Sequence, residues 1–269
     1  MQRRTILTFG GVLLGAGGIA WWQRNPITSR LLTRHENAAV ALTDAAAVDG
    51  EPCMLTPEQI EGPFFLRAPI RRDIREDRIG VNLQLELQVV AADSCQPIEG
   101  AVVEIWHCDA AGRYSGYPED MSRHPFDTLM FLGPTGEHVA AENDKTYLRG
   151  AQRTDGRGTV RFDTIFPGWY EPRTTHIHAK VFVGETAYTT TQLYFPDALS
   201  QRIYRDHTAY AAYGQSPYTK DNDLVLGQHP DANGLLLRPR NALTGTDAGT
   251  SAGIDADLTA TARLGIRTA

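Results

Sequence analysis

His176 and His178 stand two residues apart in the strand-forming run THIHAKVFV. Side chains alternate sides along a strand, so both imidazoles fall on one face and could share a single metal ion. Tyr170 lies just upstream in the turn PGWY (167–170), and Tyr114 sits in the glycine-marked turn GRYSGY (112–117). Two imidazoles and two phenols make a donor set suited to ferric iron rather than zinc. A free tyrosine has a pKa near ~10 and ligates poorly at neutral pH, but a trivalent cation lowers it enough to hold the phenolate. The H-x-H spacing alone is a weak signal, because any two residues so spaced share a strand face, and Lys180 follows on that same face. The added weight comes from the neighbourhood, where Pro167, Gly168, Trp169 and Tyr170 form a turn that delivers a phenol beside the strand, with Arg173 between.

Strands must carry these groups. Leu83, Leu85, Leu87 and Val89 alternate with Gln84, Glu86 and Gln88, the period-two pattern of a strand with one buried face. Segments 101–107, 158–163, 175–183, 187–195, 223–226 and 234–238 are further strand candidates, separated by turn signals such as DGRG at 155–158 and DANG at 231–234. Ile254, Ala256, Leu258, Ala260, Ala262, Leu264 and Ile266 keep a strict alternation and predict a last strand. Leu199, Ile203 and Tyr204 follow Asp197 at near-helical spacing, so one short helix is expected from Asp197, as cap, to about Tyr210. The fold class is all-β: a β-sandwich of mostly antiparallel strands with one or two short helices and long loops at the site.

Three zones divide the chain. Residues 1–34 carry Arg3 and Arg4, then the apolar run Ile6 to Trp22, and read as a twin-arginine-like export signal or a membrane anchor. Residues 35–50, rich in Ala and Asp, read as a linker, and 51–269 as the body. The expected location is outside the cytoplasm, with membrane contact only through the N-terminal segment if it stays uncleaved. A net charge of -6 without a long basic run argues against nucleic acid as partner and favours a small molecule. Export would let disulfides persist. Cys95 and Cys108 flank the strand 101–107, roughly 23 Å apart at about 3.3 Å per residue, too far to bridge. A disulfide should therefore join Cys53 to Cys95 or to Cys108.

The chain resembles the intradiol ring-cleavage dioxygenases, the protocatechuate and catechol dioxygenase family. The resemblance rests on EGPFF (61–65), GAVVEIWHCDAAGRYSGY (100–117), YLRGAQRTDGRGTVRFDTIFPGWY (147–170), RTTHIH (173–178) and TTQLYFPD (190–197), in that order through most of the body. It implies a non-haem Fe(III) enzyme that opens the ring of a catechol with O2 between the two hydroxylated carbons, giving a muconate-type diacid. By motif, Tyr114 and His176 match the equatorial iron ligands, and Tyr170 and His178 the axial ones. Arg173 matches the active-site arginine, Gln192 a glutamine near the iron, and Gly62 and Pro63 a loop lining the substrate pocket. Tyr170 is then the ligand that catechol displaces and that takes its proton. Only five residues separate Tyr170 from His176, which implies a trimmed pocket wall. The helical domain of catechol dioxygenases has no counterpart, and the oligomeric state stays open. Two other readings compete: a zinc or copper enzyme on the same histidines, and a non-enzymatic exported β-sandwich that binds a partner. His107 reads as structural; His124, His138, His207 and His229 read as surface residues without partners, and Asp144 and Asp155 as turn formers.

Overall fold

The computed structural model describes residues 53–119, 138–226, 235–240 and 257–267. The expected export signal and linker lie outside these residues, as do His124 and His229. In chain order the elements are β1 (Asn82–Ala91), β2 (Val102–Trp106), β3 (Arg149–Arg153), β4 (Thr159–Ile165), β5 (His176–Val183), β6 (Thr186–Tyr194), helices α1 (Asp197–Asp206) and α2 (Thr208–Ala211), then β7 (Arg238–Arg240) and β8 (Leu258–Ile266). They form two four-stranded sheets, ordered β4-β1-β8-β7 and β3-β2-β5-β6. All pairings are antiparallel except β1 with β8. The all-β sandwich is thus present.

The core between the sheets explains the alternation. Leu83, Leu85, Leu87 and Val89 of β1 share one buried cluster with Val103 and Ile105 of β2 and Ile177, Ala179 and Val181 of β5. Burying each large aliphatic side chain is worth about 1.5–3 kcal/mol. A slip of one residue would put Gln84, Glu86 and Gln88 inside instead, so the register is tightly specified. On β5 the odd residues fill the core, which sends His176, His178, Lys180 and Phe182 to the opposite face. His176 and His178 therefore stand outside the main core. A second cluster, Phe64, Trp106, Cys108, Tyr114, Tyr117 and Tyr170, gathers there.

Several expected elements differ. Strand β3 carries Arg149, Gly150, Ala151, Gln152 and Arg153, a run without apolar alternation, and its place is set by pairing with β2. Segment 223–226 is a turn, because the Asp223 carboxylate accepts hydrogen bonds from Val225 N and Leu226 N. The strand expected at 234–238 shifts to Arg238–Arg240, preceded by a bridge between Leu236 and Tyr194. In α1 the capping position is Pro196 rather than Asp197, whose carboxylate instead accepts from Lys220 N and Nζ. The helical stretch breaks at His207, whose Nδ1 accepts from Ala209 N and so caps α2.

The disulfide joins Cys53 to Cys95, and Cys108 is a buried free thiol. Thr56 N bonds to Gly265 O, so the start of the body is sewn both to the turn after β1 and to β8.

Candidate metal centre

Two interlocked turns bring the phenols together. Asp109 Oδ1 accepts from Ala111 N at 2.9 Å and Arg113 N at 3.0 Å, which shapes the turn leading to Tyr114. Gly112 has φ +79, and a Cβ there would collide with the Trp169 carbonyl oxygen; a Cβ on Gly168 would lie 2.6 Å from Asp109 O. Each turn thus needs a glycine where it crosses the other. Trp169 holds the second turn from outside, stacking on Tyr213 at 4.4 Å and donating from Nε1 to Gly214 O.

Tyr114, Tyr170, His176 and His178 converge. The hydroxyls of Tyr114 and Tyr170 are 3.3 Å apart, Tyr170 Oη is 2.9 Å from His176 Nε2, and His176 Nε2 is 3.2 Å from His178 Nε2. None of the four is more than 5% exposed. The Thr174 carbonyl accepts from His176 Nδ1 at 2.6 Å, which assigns the proton to Nδ1 and leaves the Nε2 lone pair facing the cluster. His178 lies parallel to Trp106, and its Nδ1 has no partner among the described residues. Burial, then the Arg173 charge, pushes the His176 pKa down to about 3; burial, then His176, pushes His178 well below its usual value. Both rings are therefore neutral, as metal ligands must be.

This donor set fits a ferric ion. Two neutral imidazole nitrogens at 3.2 Å leave His178 under-satisfied in either tautomer: one sets lone pair against lone pair, the other leaves a bare acceptor at Nδ1. A cation between them removes the lone-pair conflict. Burial pushes the Tyr114 and Tyr170 phenols up, so only a strongly charged ion would hold them as phenolates. Among the described residues no group of three or more His, Cys, Asp or Glu side chains could hold a metal, so the phenols are needed to complete the set.

Arg173 lies beside these donors, held through Nε and Nη2. Its Nε donates to Asp223 Oδ2 at 2.9 Å, and its Nη2 donates to Asp223 Oδ1 at 3.2 Å, Gln192 Oε1 at 2.5 Å and Tyr194 Oη at 3.0 Å. Gln192 Nε2 in turn donates to Ile60 O at 2.8 Å. The segment after Ile60 roofs the donors: Gly62, at φ +76, has room for a Cβ 3.5 Å from His178 Cε1, and Pro63 is buried beside it. The Phe64 carbonyl accepts from Arg149 Nη1 at 2.8 Å, while Arg149 Nε and Nη2 bond Ser115. Arg149 thereby ties the roof to the Tyr114 turn.

Asp223, Tyr194, Arg149 and Trp106 are the residues that sequence reasoning missed. Nothing local in the sequence links Asp223 to Arg173, because 50 positions separate them. Tyr194 follows Gln192 by two, so alternation was available for it. His107 is structural, donating from Nδ1 to Cys108 O and accepting from Thr164 Oγ1. His138, expected to lack partners, bonds Glu61 Oε2 at 2.6 Å, and His207 caps α2.

A family model described as Dioxygenase matches residues 57–227. The chain is 30% identical over 161 residues to a catechol 1,2-dioxygenase of Pseudomonas sp. (strain EST1001), covering 56% of this chain and 50% of that protein. It is 34% identical over 110 residues to the protocatechuate 3,4-dioxygenase beta chain of Burkholderia cepacia, covering 38% and 39%. The chain thus spans about half, or less, of the length of these curated relatives. An intradiol ring-cleavage dioxygenase from Tetranychus urticae superposes with a TM-score of 0.65 at 28% identity, over 80% of this chain and 95% of that one. Hydroxyquinol 1,2-dioxygenase from Pseudomonas putida DLL-E4, at 19% identity and a TM-score of 0.55 over 93% of this chain and 76% of that one, shares the fold.

Proposed function

The chain belongs to the intradiol ring-cleavage dioxygenase family, whose members use non-haem iron, and we propose that it is itself an Fe(III) enzyme that opens a catechol-type ring with O2. The observation that carries this is the unbroken contact chain from Tyr114 Oη through Tyr170 Oη and His176 Nε2 to His178 Nε2. Tyr114, Tyr170, His176 and His178 would hold the ion, which supplies Lewis acidity and a template for both catechol oxygens.

The protein's own groups then divide the work. Tyr170 accepts a proton from the incoming catechol at Oη. Burial favours its neutral form, so a Tyr170 phenolate in this position would be a strong base. Arg173, held rigid by Asp223, Gln192 and Tyr194, offers a fixed positive charge to the negative charge that develops on the ring. Gln192, clamped between Arg173 and the Ile60 carbonyl, keeps that cation in register with the roof. Gly62 and Pro63 supply the wall beside His178, where a Cβ on Gly62 would stand 3.5 Å from His178 Cε1. Ring opening between the hydroxylated carbons yields a muconate-type diacid.

Location is part of the same reading: the Cys53–Cys95 disulfide supports a protein that works in an oxidising compartment outside the cytoplasm. The test is metal analysis of the purified protein together with oxygen uptake and product identification across a panel of catechols. Iron, oxygen consumption and a ring-opened diacid are expected. A colourless zinc-loaded protein, a protein that carries copper in place of iron, or iron-loaded protein that takes up no oxygen, overturns the proposal.

A further inference from the structure

We infer that Asp223 is a positioning residue that sets two parts of the centre at once, the guanidinium of Arg173 and the ring of His176. Its side chain is fully buried and its two oxygens divide the work. Oδ1 shapes the local turn by accepting from Val225 N at 2.9 Å and Leu226 N at 2.7 Å, and also meets Arg173 Nη2 at 3.2 Å. Oδ2 faces the centre, accepting from Arg173 Nε at 2.9 Å and from Thr174 N at 2.7 Å. The same Thr174 presents its carbonyl to His176 Nδ1 at 2.6 Å. Oδ2 therefore joins Arg173 Nε to the residue that holds the His176 tautomer. A carboxylate serving only its turn would not need Oδ2, and a partner serving only Arg173 would not bind Thr174 N.

This inference rests on the proposed iron site, and its link to metal retention is read without turnover. Asp223→Asn is the discriminating variant. An asparagine can keep Oδ1 in the turn, while its Nδ2 replaces Oδ2 and sets a donor against Arg173 Nε–H and Thr174 N–H. Outer partners of this kind are worth about 10–100-fold in activity or metal affinity. In the iron-loaded full chain, Asp223→Asn should lower kcat by about 10–100-fold. On an Arg173→Gln background it should change kcat by no more than about twofold, because that part acts through Arg173. Iron release to a chelator should accelerate by about tenfold in both backgrounds, because the path through Thr174 to His176 bypasses Arg173. Asp223→Glu is the second variant: it keeps the charge but displaces both oxygens, and should lower kcat without restoring slow release.

An equal loss of kcat in both backgrounds, or iron release at the unsubstituted rate in either Asp223 variant, overturns the inference. Unsubstituted protein that binds iron yet consumes no oxygen overturns the proposed function instead. In that case the release rates, read without turnover, still decide the role of Asp223.

Discussion

His178 lies flat on Trp106, with ring centroids 4.7 Å apart and planes 8° from parallel, and the two residues face each other across the β2–β5 register. No side-chain hydrogen bond among the described residues holds His178 Nδ1, so the indole face is what orients the ring. Phe65 packs edge-on to the same indole at 5.0 Å and extends the support to the roof segment. Trp106→Phe should keep the sheet, since the Trp106 Nε1 has no partner to lose among the described residues, but shrinks the platform under His178. Iron affinity should fall by about 10–100-fold. Trp106→Ala should in addition cost about 3–5 kcal/mol of stability. Metal-binding isotherms and urea unfolding measure the two effects separately, and an unchanged iron affinity in Trp106→Phe would refute the platform role.

Gly112 and Gly184 share a left-handed backbone but differ in surroundings. At Gly184, φ +62, a Cβ would meet nothing within 4 Å; at Gly112, φ +79, it would strike the carbonyl of Trp169. Gly184→Ala should therefore cost only the backbone strain, about 1–2 kcal/mol, and leave iron binding unaltered. Gly112→Ala carries that strain and must also push the Tyr114 turn off the Tyr170 turn, so iron binding should be lost with a larger fall in Tm. Equal iron content in the two variants would mean that the turns do not depend on each other.

The parts of this molecule that a sequence reader can see are those written in local periodicity. Leu83 to Val89 and Leu258 to Ile266 announce their buried faces by alternation, and the same alternation puts His176 and His178 on one side. Strand β3 has no such signature, because Arg149 is buried through hydrogen bonds to Ser115 and Phe64 that only the fold provides. Asp223 is separated by 50 positions from the arginine it holds. Its neighbours Val225 and Leu226 imitate a strand, although they are buried within a turn. Residue types for the candidate metal site were thus legible, and the groups that orient them were not.

Acid should destabilise the metal-free protein in part through His107. Burial, above all, lowers its pKa to about 4, against about 6.5 in an unfolded chain. The unfolded state therefore binds the extra proton first, so this contribution to stability is complete above pH ~6.5 and is lost as pH falls toward ~4. The gap corresponds to about 3 kcal/mol. His107→Gln, which can still donate to the Cys108 carbonyl, does not titrate there, so its stability should fall less between pH 7 and pH 4.5. Urea unfolding at both values checks this, and an identical acid loss in the variant would assign the effect to other groups.

Reduction should expose the last dependence. The Cys53–Cys95 bond spans a sequence separation of 42 and ties the first described residue to the turn behind β1. By loop-closure entropy its loss should cost about 4 kcal/mol. Cys53 and Cys95 are buried with Val90, so a reduced pair would leave two thiols in an apolar cluster rather than an open gap. Cys108 adds an internal control: it is fully buried and its thiol is pushed up, first by burial, so it should stay unreactive in the folded protein. The native oxidised chain should accordingly yield one thiol to a thiol reagent only after denaturation, and three after denaturation with a reductant. A Cys53→Ser and Cys95→Ser double variant should unfold at lower urea while leaving iron content unchanged, because neither cysteine touches the metal-binding side chains. A Cys108 thiol that reacts in the folded chain would show that it is not sealed from solvent, and a double variant as stable as the parent would show that the bond is not what anchors the start of the body.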